Sequence, residues 1–199
     1  MKDYKVSKDI ITCKSPEGRL RWSDLFSATV NEDSDDSTPY FRSTVIFDTA
    51  AQATPAYAEM QKAAQQAARA EWGDKIPSNL RSPFRPGTDK DLDKYPEFGN
   101  GATFINVKTK KKPGLVHGFV DPATGKLKVI EDDTEIYNGC FVRLSLTCYG
   151  YEVKGNRGVS FGLRNVQKVR DGEAFASGVR AEDDFDAVDG ASNPDALFS

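Results

Sequence analysis

The strongest structural signal in the sequence is a pair of alternating segments, Cys140-Phe-Val-Arg-Leu-Ser-Leu-Thr-Cys-Tyr-Gly-Tyr151 and Val159-Ser-Phe-Gly-Leu-Arg-Asn-Val-Gln-Lys-Val-Arg170. One face of the first segment is apolar from Cys140 to Cys148, and the other face is polar and aromatic. Strict alternation of this kind predicts half-buried β-strands. The intervening Lys154-Gly-Asn-Arg-Gly158 is typical of a hairpin turn. We therefore predict a long antiparallel hairpin.

The rest of the chain continues the β pattern around one helix. Alternation predicts strands over 19–30, 40–48, 102–110, 115–120 and 126–130. For the helix, Thr54 suits the N-cap, Pro55 suits the first helical position and Gly73 suits the end. The sequence therefore predicts a mainly β fold of six or seven antiparallel strands with one inserted helix. An OB-fold-like antiparallel Greek-key barrel and a β-sandwich both fit this pattern.

Composition limits the classes of function. The chain has 199 residues, of which 38% are hydrophobic and 29% charged, and this composition predicts one water-soluble globular domain without a membrane span. No apolar stretch follows Met1-Lys-Asp-Tyr-Lys5, so we expect no signal peptide. Three cysteines without C-x-x-C spacing and a single histidine, His117, argue against a zinc site and a disulfide framework. We expect reduced thiols in a cytoplasm, no cofactor, no metal and no enzymatic activity.

The charge is distributed unevenly along the chain. Lys and Arg number 27 and Asp and Glu 30, but residues 182–199 contain six acids and no base. Residues 1–181 therefore keep 27 bases against 24 acids, a net charge of +3. We expect a binding domain over 1–181 and a disordered interaction tail over 182–199 that competes with an anionic ligand. The tail residues singled out for partner binding are Glu182, Asp183, Asp184, Phe185, Asp186, Asp189, Asp195 and Phe198.

Basic side chains with aromatic ones between them occupy the outward strand faces and a long Pro- and Gly-rich loop over 74–101. Lys and Arg neutralise phosphates, and aromatic rings stack on bases of any identity, so this combination suits a single strand of nucleic acid. Loops of this length are often functional. The candidate DNA-binding residues are Arg21, Tyr40, Arg42, Arg81, Phe84, Arg85, Phe104, Lys108, Lys110, Arg143, Tyr149, Tyr151, Lys154 and Arg157.

Three motifs together resemble a family of tailed-phage single-stranded DNA-binding proteins. They are Ile136-Tyr-Asn-Gly-Cys-Phe-Val-Arg143, the segment from Gly155 to Glu173 that contains Asn-Val-Gln-Lys-Val-Arg-Asp-Gly-Glu, and Ala181-Glu-Asp-Asp-Phe185. The resemblance implies an OB fold that coats single-stranded DNA without base specificity during phage replication or recombination. It also implies an acidic tail like those of other phage and bacterial single-strand binders, and it supplies no catalytic residues. Such tails often end in phenylalanine, whereas here Ser199 follows Phe198.

Two other classes of function stay open at this stage. The acids Glu131, Asp132, Asp133 and Glu135 are a candidate site for a metal-dependent nuclease, although acids within one turn are usually solvated. A phage structural or host-interaction protein would use the aromatic face to contact protein instead. For single-stranded DNA binding, the expected location is the cytoplasm of the infected host, and the expected partners of the tail are phage replication or recombination proteins.

Overall fold

The long C-terminal hairpin is the centre of the fold. The computed structural model describes residues 10–30, 37–153 and 155–175. In it, β8 (Phe141–Val153) pairs antiparallel with β9 (Asn156–Arg170) along the whole of both strands. Every second residue from Val142 to Cys148 is buried, as the alternation predicts. The predicted hairpin is confirmed.

The remaining elements precede this hairpin and agree with most of the predicted segments. In chain order they are β1 (Ile11–Lys14), β2 (Gly18–Thr29), β3 (Tyr40–Phe47), α1 (Thr49–Gln52), α2 (Pro55–Trp72), β4 (Arg85–Pro86), β5 (Thr103–Thr109), β6 (Gly114–Asp121) and β7 (Lys126–Val129). The helix α1 is a single turn, too short to show a helical period in the sequence, and the prediction of one inserted helix omits it.

Five strands form a closed ring, which distinguishes a barrel from a sandwich. The order around the ring is β8, β2, β3, β5 and β9, and β9 pairs with β8 to close it. The strand β1 extends the sheet beside β8, and the β6–β7 hairpin extends it beside β9. This arrangement is OB-fold-like, and the predicted fold class is confirmed.

The sheet is mixed, whereas the sequence pattern predicts antiparallel strands only. The strands β5 and β6 both run parallel to β9. Parallel neighbours require a long crossover connection, and β5 reaches β9 through the whole segment that contains β6, β7 and β8. Alternation along a strand reports its two faces and not the direction of its neighbour, so the sequence could not show this feature.

The helix α2 packs against β1 and β8 and covers part of the barrel. The Thr54 side chain accepts a hydrogen bond from the Tyr57 amide, as predicted for the N-cap. The buried face of the helix contains Tyr57 and Met60 with several alanines. Alanine lets the helix approach the sheet closely, and Gly73 ends the helix at a φ of 61°.

The long loop forms a second layer on the outside of the barrel. Phe98 is fully buried and contacts Phe104 of β5, with 5.1 Å between the ring centroids. Gly87 is required at the base of the loop, because a Cβ atom there would lie 1.8 Å from the carbonyl oxygen of Phe98.

None of the helices in the described part of the chain has the length and apolar composition that a membrane span requires.

Candidate nucleic-acid interface

An open groove of about 390 Å³ runs across the outward faces of neighbouring barrel strands. It combines polar, basic and aromatic side chains. Its lining residues are Trp22, Thr38, Tyr40, Arg42, Ser43, Thr44, Asn106, Val107, Lys108 and Ser160.

The cations of the groove are held in place by their neighbours. Arg42 on β3 lies opposite Lys108 on β5. The Lys108 ammonium is 4.2 Å from the centroid of the Tyr40 ring, and the Lys110 ammonium is 5.6 Å from it. Arg42 is paired with Asp24 at 3.5 Å between Nε and Oδ2. Oriented cations beside an aromatic ring suit a phosphate that lies next to a stacked base.

Tyr149 provides an exposed ring on the other side of the groove. It lies opposite Ser160 on β9, and 44% of its surface is exposed. Burial of the hydroxyl end raises the pKa of Tyr149, and a hydrogen bond to the Ser160 side chain opposes this effect in part. The phenol is therefore neutral at physiological pH, and its ring is available for stacking.

Gly162 of β9 lies between the strand that carries Lys108 and the strand that carries Tyr149. It lies opposite Lys108 on one neighbouring strand and opposite Thr147 on the other. A Cβ atom at this position would be 2.5 Å from Thr147 Oγ1 and 3.6 Å from Tyr149 Cε1. The Thr147 side chain thus packs directly against Gly162, and a larger residue at this position would have to displace it from beside Tyr149.

A second group of predicted residues gathers where the β8–β9 hairpin meets the long loop. The Arg81 amide donates to the Arg157 carbonyl oxygen at 2.9 Å. A Cβ atom on Gly158 would lie 2.8 Å from both the Tyr151 hydroxyl and the Arg81 carbonyl oxygen. Arg157 is paired with Glu152 at 2.9 Å. Lys154, also predicted here, lies outside the described residues.

Two of the predicted contact residues are buried and a third is half-buried, so a direct contact with DNA at these three positions stays a prediction. Phe104 is fully buried below Phe98. Arg21 is buried and its Nε is 3.0 Å from Glu97 Oε1. Phe84 is half-buried between two core rings, with centroids 5.2 and 5.5 Å away. All three belong to the packing between the barrel and the long loop, which covers side chains that strand alternation places on the outside.

Two exposed arginines among the predicted residues are not among those that line the groove. Arg85 is paired with Asp89 on the long loop at 2.9 Å. The Nε of Arg143 is 3.4 Å from the carbonyl oxygen of Ser15. Arg143 precedes Tyr149 by six residues on β8, about 20 Å along an extended strand. The charges of Arg85 and Arg143 therefore contribute to the overall electrostatic potential around residues 1–181.

Trp22 lines the groove, and the sequence pattern does not identify it. Alternation places Trp22 on the inner face of β2 together with Leu20, but its φ is 46° and the pairing with β3 shifts between Arg21 and Asp24. The bulge turns the indole outward, where it stacks on Phe98 with 5.4 Å between centroids. One feature of the sequence could have indicated the bulge. Leu20 and Leu25 are both apolar and buried, but a regular strand would place them on opposite faces.

The acidic turn near residue 133 has local partners. Glu135 Oε2 is 2.9 Å from His117 Nε2, and Asp132 accepts hydrogen bonds from the amide and hydroxyl of Thr134. Among the residues that the structure describes, no three His, Cys, Asp or Glu side chains are placed to hold a metal ion. The eight residues singled out in the tail lie outside the described residues.

Comparisons with known proteins agree with this architecture. Residues 8–197 match the family described as "Enterobacter phage Enc34, ssDNA-binding protein". "Putative protein p50" of Acyrthosiphon pisum secondary endosymbiont phage 1 is 32% identical over 117 residues, which is 58% of this chain and 58% of that relative.

Solved structures of phage proteins share the fold. The single-stranded DNA-binding protein from bacteriophage Enc34, solved in complex with ssDNA, superposes with a TM-score of 0.66 at 18% identity and covers 87% of this chain and 97% of its own. Gp2.5, a single-stranded DNA-binding protein encoded by bacteriophage T7, gives 0.58 at 14% identity, with 93% and 100% covered. By the match over nearly its whole length, this chain belongs to the family of the Enterobacter phage Enc34 ssDNA-binding protein.

Proposed function

We propose that this chain binds single-stranded DNA without base specificity, and that it coats and protects the strand during phage DNA replication, recombination or repair. The observation that carries the proposal is the groove in which Tyr40, Arg42 and Lys108 lie. Membership of the family supports it, because the family and the structural neighbours are phage ssDNA-binding proteins. The proposed role is binding without catalysis, in the cytoplasm of the infected host.

The chemistry of the groove accounts for binding of any base sequence. Every base has a π-face, so stacking on Tyr149 contributes roughly 1–3 kcal/mol whatever the base. Arg42 and Lys108 neutralise phosphates, which are the same at every position. Contacts to ring faces and phosphates do not read the hydrogen-bonding edges of the bases. The groove is therefore suited to coating a strand rather than to recognising a site.

The division of the chain into a binding domain and an acidic tail is also a proposal. Residues 182–199 carry six acids and no base, against a body of net charge +3. A tethered anionic segment competes with DNA at a high effective concentration. The same segment, with Phe185 and Phe198, is the proposed docking site for phage replication or recombination proteins.

Fluorescence anisotropy tests the binding proposal. A labelled oligo-dT and a matched duplex are titrated with the full chain at two salt concentrations. We expect the single strand to bind with an affinity that falls steeply with salt, with log K decreasing by about 0.7 for each phosphate neutralised. An affinity that does not change with salt, or no binding at all, would contradict the proposal.

A matched pair of variants locates the binding in the groove. Lys108→Gln is expected to weaken binding and to reduce the salt slope by about 0.7, because one phosphate contact is lost. Lys62→Gln removes the same charge from an exposed position of α2, outside the residues that line the groove. Equal effects of the two changes would indicate a response to net charge and not to the groove.

A further inference from the structure

The strand β7 has an edge open for pairing. Among the residues that the structure describes, β7 pairs with β6 and with no strand on its other side. All four of its residues, Lys126 to Val129, are exposed. The free edge of a strand presents unpaired amide and carbonyl groups, which are a template for another extended segment.

The two faces of β7 differ in chemistry. Leu127 lies opposite Val120 of β6, and Val129 lies on the same face. These three side chains are 42%, 55% and 59% exposed, respectively. The opposite face carries Lys126, whose cross-strand neighbour is Asp121, and Lys128, whose ammonium is 6.0 Å from the Phe119 ring centroid. A complementary strand would therefore alternate acidic and apolar residues.

We propose that Asp184-Phe185-Asp186 of the acidic tail adds as a strand to the open edge of β7 in the same chain. Aligned with Lys126-Leu127-Lys128, the segment places an aspartate opposite each lysine and Phe185 opposite Leu127 in either strand direction. Opposite charges and apolar pairs across neighbouring strands stabilise a sheet. Main-chain hydrogen bonds supply the rest of the affinity, as in other cases of strand addition.

The tail is long enough to reach this edge. The described chain ends at Phe175, whose amide donates to the Asn138 carbonyl oxygen at 3.0 Å. Asp184 is nine positions after Phe175, and an extended chain of that length spans up to roughly 30 Å. Phe175 lies beside Arg19 of β2, with 4.0 Å between the guanidinium and the ring centroid. The edge of β7 is four strand spacings from β2 through β8, β9 and β6, or about 19 Å across the sheet.

Charge favours the tail over a second copy of β7. If two β7 strands met around a twofold axis, side chains on the same face would oppose each other, so lysine would lie opposite lysine. Like charges directly opposite each other destabilise a pair of strands. The tail offers the opposite sign at the same spacing.

Hydrogen exchange of the β7 amides in the full chain tests the proposal without DNA, so its outcome is independent of nucleic-acid binding. Asp184→Lys/Asp186→Lys is expected to accelerate exchange in β7 by about tenfold. Lys126→Asp/Lys128→Asp should do the same, and the combination of both pairs should restore the slow rate. Asp189→Lys/Asp195→Lys is the control, because it changes the tail charge equally outside the proposed strand.

The possible results separate the proposed occupant from others. Docking within one chain is supported if exchange in β7 is slow, if only the variants at 184 and 186 or at 126 and 128 accelerate it, and if tenfold dilution leaves the rate unchanged. Exchange in β7 that is unaffected by the tail changes would overturn the proposal, as would equal effects of the control. Protection that disappears on dilution would assign the edge to a second copy and would also overturn it.

Discussion

Single residues of similar chemistry have different roles according to what covers them. Tyr149 and Phe104 both lie on outward strand faces, but Tyr149 is exposed beside the groove, whereas Phe104 is fully buried below the long loop. Only the first can stack on a base. The same distinction separates Arg42, which lines the groove, from Arg21, which is held in a buried ion pair with Glu97.

Replacing Tyr149 and Tyr151 with alanine is expected to weaken single-stranded DNA binding about tenfold to a hundredfold, because one or two stacking contacts are lost. The thermal midpoint should change little, since the Tyr149 ring is exposed. Anisotropy and a thermal melt measure the two effects. Phe119→Ala removes another exposed ring, on the β6–β7 hairpin, and serves as the control. Unchanged affinity in the double variant would move the binding face to the loop over 81–98.

The thiols are expected to be unreactive in the folded chain. Burial raises the pKa of Cys13 to about 11 and that of Cys148 to about 12. At pH 8.5, alkylation should be slower than that of an ordinary cysteine by roughly a hundredfold for Cys13 and roughly a thousandfold for Cys148, because the thiolate is the nucleophile. Mass spectrometry after timed alkylation measures the rates, with the denatured chain as the control. Equal rates in the folded and denatured chains would contradict burial.

The same shifts determine a pH dependence of stability. The folded pKa values are raised, so the neutral thiols contribute stability below the unfolded pKa of about 8.5. That contribution is lost as the pH rises through this value towards about 11 and 12. The denaturation midpoint should therefore fall in alkaline solution. Tyr57, whose pKa burial also raises, acts in the same direction.

At the scale of elements, the long loop determines which part of the outer barrel face is available. Phe98 of this loop covers Phe104, and Glu97 forms an ion pair with Arg21. The bulge of β2 then places Trp22 between the loop and the groove. The loop is thus a layer of the core that supports Trp22 from behind, and none of its residues lines the groove.

Gly87→Ala tests how closely the long loop packs against the barrel. A Cβ atom there would lie 1.8 Å from the Phe98 carbonyl oxygen, so the loop must move away from the barrel. We expect the free energy of unfolding to fall by about 2 kcal/mol or more, measured by denaturant titration. Gly99→Ala is the control, since its nearest neighbour is 3.1 Å away, and it should cost less. Similar values for the two variants would mean that the close approach at Gly87 does not limit the packing.

At the scale of the whole molecule, charge is divided between a basic body and an acidic tail. The chain has a net charge of −3, and without residues 182–199 it would have +3. We expect this reversal to change the long-range attraction of DNA as well as the proposed competition of the tail for the groove. The two effects both act through screened charges, so both depend on ionic strength.

Deletion of residues 182–199 is expected to raise the affinity for single-stranded DNA, and to raise it more at low salt than at high salt, because screening weakens the competition. Parallel anisotropy titrations of the full chain and the deletion variant measure the difference. The fold should be retained, since the deletion removes none of the described residues. Equal affinities at low salt would leave the tail as a docking segment without a competitive role.

Local sequence pattern is enough to predict most of the strands, the long helix and the side chains on the outward strand faces. Alternation from Val142 to Cys148 identifies the buried face of β8, because each side chain there reports its own environment. The same local information placed Tyr40, Arg42 and Lys108 on outward faces, and all three line the groove. The motifs between residues 136 and 185 indicated the family.

Which outward residues reach solvent, and which strands are neighbours, depends on contacts between distant parts of the chain. Phe104 and Arg21 are covered by a loop that is distant in sequence, and alternation carries no information about such a cover. The bulge at Trp22 and the parallel pairing of β5 with β9 depend on backbone geometry and on long crossovers. Local pattern records the faces of a strand, whereas packing between distant segments selects which of those faces forms the site.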